Sequence, residues 1–285
     1  MFYALRLALK TMINRKRESM LRIQNMLTIT LLLCMANSSF AGDLIAEADA
    51  FYNLRAQGFN EQTLLADSTN IDKAIPLYIK AIENSSGAVK EEAIWKLVRA
   101  YYFKGGYATP DRDTRKAIYD KGKEIAAAGI KEFPKSAALH VWMATIWGVW
   151  AQEYGTLKAA RQGVAGKIKD HCEKAIEIDE KYGEAAAYRV LGRLHYEAPK
   201  IPFILGWPSK KKAVKYLEKS YEIAPNNPFT KQFLAEALYK QKQKARAVKL
   251  LEEILEKGDT SLGTVEYAVL KSEVTEILRK WKKGK

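Results

Sequence analysis

The sequence predicts an all-α fold, a right-handed α-solenoid of about five antiparallel helix pairs with a C-terminal capping helix. Three observations carry this. Apolar residues recur at helical spacing along most of the 285 residues, and Gly and Pro are sparse, at 17 and 8. CEKAIEID at 172–179 matches LEKSYEIA at 217–224 in its apolar and charged positions, which marks an internal repeat. Small residues (Gly192, Ala213 and Ser220) stand where two paired helices must approach closely. The composition, 48% hydrophobic and 28% charged, supports a large core and disfavours disorder.

Taken in order, residues 43–57 read as an opening helix with Ala46, Ala50 and Leu54 on one side. A polar stretch over 58–69 reads as a loop. Asn70 is placed to cap the next helix, which carries Ala74, Tyr78 and Ala81 inward. Residues 89–104 follow with Ile94, Leu97, Val98 and Tyr101 inward, and Gly105-Gly106 is expected to end that helix. Asp111 or Asp113 starts a helix that Pro134 closes. Residues 136–154 form a first helix with Trp142, Trp147 and Trp150, broken by Gly155. Residues 157–178 are its long partner.

The unit 184–228 is a helix pair interrupted by an extra segment, APKIPFILG, after His195. Its second helix stops at Ala224-Pro225. Pro228 then opens another pair, with Ala235 and Ala247 at the close approach. Thr260 or Ser261 caps a last helix to Trp281, whose charged outer face suits a terminal element.

Residues 1–41 read as a secretory signal. Arg22 precedes the apolar run 26–35, Ser39-Phe40-Ala41 is a small-x-small site, and the expected cut follows Ala41. The run is too short to span a bilayer as a mature helix. The remaining domain is 42–285, periplasmic, with an uncleaved anchor as the alternative location. Met20 is a rival start to Met1, and Cys34 faintly suggests a lipidation box, although Leu33 is too large for the residue before a lipidated Cys. The whole chain has 47 Lys+Arg and 33 Asp+Glu; removing the leader's six basic residues and one acid leaves +9. That basicity suits an anionic ligand or acidic partner, or simply a solvated surface, and export disfavours nucleic acid. Cys172 is the only Cys after the leader, so no internal disulfide forms, and it reads as a small core filler.

The Gly192, Ala213 and Ser220 pattern, closed by Pro225, resembles a tetratricopeptide (TPR) unit. VWMATIWGVWAQEYGTLKAARQGVAGKIKDHCEKAIEID is similar to the corresponding stretch of the regulator-of-microtubule-dynamics family. LGRLHYEAP, KKAVKYLEKSYEIAPNNP and FLAEAL resemble exported bacterial TPR proteins, among them the periplasmic T-component of TRAP transporters. The resemblance covers roughly residues 90–280 and implies a non-enzymatic helical scaffold, in one version a transporter accessory.

Catalytic patterns are absent from the sequence. His140, His171 and His195 fall at no HxxxH or HExxH spacing, and there is no Walker loop, GxSxG or cysteine pair. No metal, cofactor or enzyme activity is expected. His195, at an inward position, reads as core or hydrogen-bonded. In stacked TPR units the first helices line a concave groove. Setting Gly192 at the packing position turns Arg189, Arg193 and Tyr196 toward it. The same register turns Trp95, Arg99 and Tyr102 inward on the earlier helix, and Phe229, Gln232, Glu236 and Tyr239 on the later one. Guanidinium groups among aromatics suit a carboxylate, a phosphate or a peptide terminus; the bland alternative is that these arginines pair with acids of neighbouring helices. The extra segment offers Phe203, Leu205 and Trp207 either to its own repeat or to a partner. The expected function is binding of a protein segment or small anionic ligand in the groove. The alternative is a structural, self-assembling homo-oligomer whose groove is self-filled.

Overall fold

The computed structural model describes residues 40–199, 205–257 and 263–283, with positions 17, 20, 22, 24 and 26 before them. Among the described residues there are twelve helices and no strand; Asn60 and Leu65 form an isolated bridge, and Leu205 is a further bridge residue. They are α1 (40–53), α2 (Thr69–Glu83), α3 (Gly87–Tyr107), α4 (Arg112–Glu132), α5 (Ala137–Tyr154), α6 (Thr156–Arg161), α7 (Val164–Asp179), α8 (Tyr182–Glu197), α9 (Lys210–Ile223), α10 (Pro228–Lys240), α11 (Lys244–Lys257) and α12 (Thr264–Lys283). Five pairs result: α1/α2, α3/α4, α5/α7, α8/α9 and α10/α11. The first helices α3, α5, α8 and α10 neighbour one another in a row.

Local chemistry sets many of these ends. Asp111, Ser136, Ser209 and Asn227 cap α4, α5, α9 and α10, each accepting a backbone N–H from three residues on. Gly155, at φ +85, separates α5 from α6. The two copies of the internal repeat close α7 and α9 in the same way: Cys172 and Leu217, then Ala175 and Ser220, are all fully buried. Ala74, Tyr78, Ala81 and Ala213 are also fully buried. At Gly192 a Cβ would lie 2.5 Å from Leu217 Cγ, so the close approach of α8 and α9 requires glycine there.

The structure corrects the sequence expectations in several places. In α1 the buried face is Leu44, Ile45, Ala48 and Tyr52, while Ala46, Ala50 and Leu54 are exposed. The larger apolar set wins the inside because it buries more area. Asn70 caps nothing; its amide donates to Leu54 O and Gln57 Oε1, and Ser68 precedes the helix. Gly105-Gly106 does not end α3. A Cβ at residue 105 would meet the Tyr119 ring at 2.4 Å, so that glycine serves helix packing. The long partner over 157–178 is broken into α6 and α7 at Gly163, whose φ is +64.

The last helix is the largest correction. It does not simply end the stack. The cap residues expected for it, Thr260 and Ser261, lie outside the described residues. Leu270, Val274 and Leu278 pack with α10 and α11, and Trp281 stacks on Tyr239 at 3.8 Å between ring centroids. Val265 and Val269 instead join the cluster built by α1, α2 and α3. α12 therefore ties the last repeat back to the first. The expected leader lies almost wholly outside the described residues. α1 is already helical at residue 40, and Ala41 is fully buried. No described helix is long and apolar enough to cross a membrane.

Candidate functional site

The first helices enclose a concave cavity of about 1550 Å³. Positions three and four apart on each helix face it: Trp95, Arg99 and Tyr102 from α3, Trp142, Thr145 and Val149 from α5, Arg189 and Arg193 from α8, and Phe229, Gln232 and Phe233 from α10. Val269 and Glu273 of α12 form a further wall, and Leu65, Leu205 and Trp207 stand at its edges. The wall is mainly aromatic and aliphatic with a few charged groups, the composition of a recognition groove.

The arginines differ sharply in their partners. Arg193 sits 2.8 Å from Glu197 and 2.9 Å from Glu236, with its guanidinium over Phe233 at 4.5 Å. Arg99 lies 3.5 Å from Asp49 and over the Tyr52 ring at 3.9 Å. Asp49 also accepts from Tyr78 and Lys96, so Arg99 belongs to a shared network. Arg115, at the cavity edge, is held by Glu153 at 2.7 Å. Arg189 makes no ion pair among the described residues. Its Nη1 donates to the backbone carbonyl of Glu184 at 3.1 Å and reaches Thr230 Oγ1 at 3.5 Å. The Glu184 carboxylate is occupied by Asn227 Nδ2 at 2.6 Å. Burial pulls Arg189 down to about 10, against the attraction of Glu184 and Tyr102; it remains a cation at neutral pH. Among the described residues, the cavity thus holds one guanidinium without a carboxylate.

Other candidates fall elsewhere. Tyr196 is not part of the cavity wall; the Lys210 ammonium lies over its ring at 4.5 Å. Tyr239 is also outside it, covered by Trp281. Phe203 lies outside the described residues. Leu205 and Trp207 fold over their own repeat: Trp207 meets His195 edge-on at 5.0 Å, and His195 Nδ1 accepts from Ser209 N at 3.2 Å. His195 is 2% exposed, in keeping with the core reading, and burial lowers its pKa to about 4. Trp147 and Trp150 are buried against each other. Trp150 Nε1 donates to Asp120 at 2.7 Å, and that carboxylate also accepts from Tyr154 and Lys123.

Sequence reasoning missed three features. His140 and His171, thirty-one residues apart, meet with their Nδ1 atoms 2.9 Å apart, and His140 Nε2 bonds Pro134 O. Trp142 packs on Tyr102 at 5.7 Å and shapes the groove. The wall supplied by α12 depends on contacts more than 200 residues apart, although Val265, Val269 and Glu273 do repeat every four residues. Among the described residues no group of three or more His, Cys, Asp or Glu could hold a metal ion.

The family model described as regulator of microtubule dynamics protein 1-3 matches residues 59–282, which takes in every repeat from α2 to α12. The chain belongs to this family. Regulator of microtubule dynamics protein 3 of Mus musculus is 31% identical over 129 residues, 45% of this chain and 26% of that protein; the Rattus norvegicus protein gives the same figures. The aligned part thus spans about a quarter of these curated relatives. A thermophilic TPR protein of Thermus thermophilus superposes on this family member with a TM-score of 0.56, 82% of this chain and 98% of that one, at 14% identity. That likeness establishes the TPR-like fold. The chain is a TPR-like helical-repeat protein.

Proposed function

We propose that this protein is a binding scaffold whose concave groove takes a protein segment through a carboxylate, with Arg189 as the anchoring cation. One observation carries the reading: Arg189 faces a mainly apolar cavity and, unlike the other arginines of its wall, makes no ion pair among the described residues. A half-buried guanidinium with donors to spare gains from a forked bond to a carboxylate. Arg99 and Arg193 shape the wall rather than meet the ligand, because Asp49, Glu197 and Glu236 already engage them. The relatives are named as regulators of microtubule dynamics, which favours a protein partner over a small anion.

No catalytic step is assigned; the polar groups around the cavity pair with one another instead of converging on a reactive atom. On the signal pattern at 1–41, the scaffold works after export, and a transporter-accessory role is one version of that reading. N-terminal sequencing of protein recovered from the periplasm tests export: a start at Gly42 supports it, and retention in the cytoplasm removes it.

The groove reading is tested with an array of peptides bearing free C-terminal or internal carboxylates, probed with the native chain and with Arg189→Gln. Peptides bound by the native chain and lost by the variant, at equal thermal stability, support it. Equal binding by both contradicts it.

A further inference from the structure

The groove is closed on one side by the chain's own last helix, and the way that helix is held gives it a second role. Its two ends are fixed by different chemistry. The C-terminal part is anchored by apolar packing: Leu270, Val274 and Leu278 are buried against α10 and α11. The N-terminal part is held to the α1–α3 cluster by Val265 and Val269 and by one ion pair, and Tyr267 OH donates to Ile254 O of α11 at 3.2 Å. Arg55 Nε donates to Glu266 Oε1 at 2.9 Å and Nη2 lies 2.8 Å from the same oxygen. Both side chains are largely buried, at 15% and 12% exposure.

We propose that α12 is a strap that gates the groove, and that the Arg55–Glu266 pair is its latch. Val269 and Glu273, on the turns that follow the latch, are part of the cavity wall, and Glu273 accepts from Gln232 at 3.0 Å across it. Lifting the latched end therefore draws Val269 out of the wall, while Glu273, between the anchored Leu270 and Val274, stays as the pivot side of the opening. A buried ion pair suits a latch, because its attraction is nearly offset by desolvation. It fixes one position at little net stability, where an apolar seal of the same area would hold firmly. The pair is also left incompletely satisfied, since Glu266 Oε2 is buried without a hydrogen-bond partner among the described residues. On the other side the Arg55 guanidinium lies over Tyr52 at 4.4 Å, and Arg99 lies over the same ring at 3.9 Å. Releasing Glu266 leaves two cations on one tyrosine, so the released state is a distinct arrangement of this corner.

The proposal concerns access to the groove, not what binds there, so either reading can fail alone. Access is measured without a ligand. Thr145→Cys places a thiol on the cavity wall in a chain carrying Cys34→Ser, and fluorescein maleimide labelling is followed by intact mass. Buried Cys172 is the internal reporter of global unfolding. Glu266→Gln, Arg55→Glu and Glu266→Arg are expected to raise the labelling rate at residue 145 about tenfold or more while Cys172 stays unlabelled. The combined Arg55→Glu, Glu266→Arg exchange is expected to return the rate toward that of the parent. The proposal is overturned if the single variants leave the rate unchanged, if Cys172 labels in step with residue 145, or if the combined exchange stays open.

Discussion

At the scale of single residues, the structure turns on close contacts that tolerate little change. Gly192 lets α8 rest on Leu217 and on the Ala213 carbonyl, which a Cβ would approach to 2.5 and 3.2 Å. Gly192→Ala is expected to cost about 1–3 kcal/mol in a urea titration, the usual range for overpacking. The histidines set a pH dependence. Burial lowers His171 and His195 to about 4 from an ordinary 6.5, and lowers His140 as well. Their neutral forms are favoured by folding, so this contribution is fully present above pH 6.5 and is lost as pH falls toward 4. The urea midpoint is expected to drop between pH 7 and pH 4.5, and to drop less in His171→Gln; an equal drop in both would remove the assignment. Which residues are buried was largely legible: Tyr78, Cys172, Ala213 and Leu217 follow from spacing alone. The His140–His171 contact was not, because it joins two helices through positions whose sequence spacing carries no signal.

At the scale of elements, helix identity was legible and helix boundaries were not. The repeat CEKAIEID/LEKSYEIA located two second helices, because the same apolar spacing must meet the same neighbour in each unit. Gly105 was misread as a stop since glycine in sequence does not distinguish a chain break from a close contact; only Tyr119 decides it. The link between α10 and α11 yields a prediction at this scale. Lys242, exposed, adopts φ +65 just past the end of α10, with Gln243 N donating back to Leu238 O. This is the left-handed position where helices favour glycine. Lys242→Gly is expected to stabilise the chain by about 1 kcal/mol, seen as a raised thermal midpoint. A lowered midpoint would mean that the lysine side chain contributes more than the backbone strain costs.

At the scale of the whole molecule, ring-like closure by α12 separates this chain from an open stack. The sequence suggested a solvated cap, and the charged outer face fits one. The Arg55–Glu266 contact joins residues 211 apart, beyond the reach of any local pattern. The latch has a structural consequence of its own. A Cβ at Gly263 would lie 2.3 Å from Glu266 Oε2 and 2.4 Å from Arg55 Nη2. Gly263→Ala is expected to raise hydrogen exchange in the first turns of α12 while α8 stays protected; uniform exchange along α12 and α8 would contradict independent anchoring of its two ends. The groove was legible in outline, since Trp95, Arg99, Tyr102, Arg189, Arg193 and Gln232 do line one cavity. Which arginine is left without an acid was not, because Glu236 and Asp49 reach Arg193 and Arg99 only in the folded chain.

The central claim is that Arg189 binds a carboxylate in that groove. The most direct measurement is calorimetric titration of the strongest array peptide, prepared as the free acid and as the amide, into the native chain and into Arg189→Gln. A charge-assisted hydrogen bond is worth about 1.5–3 kcal/mol, so the native chain should favour the acid by about ten- to a hundredfold. Arg189→Gln should bind both forms equally and as weakly as the native chain binds the amide. A variant that keeps the preference for the acid would contradict the account and move the anchor to another group of the wall.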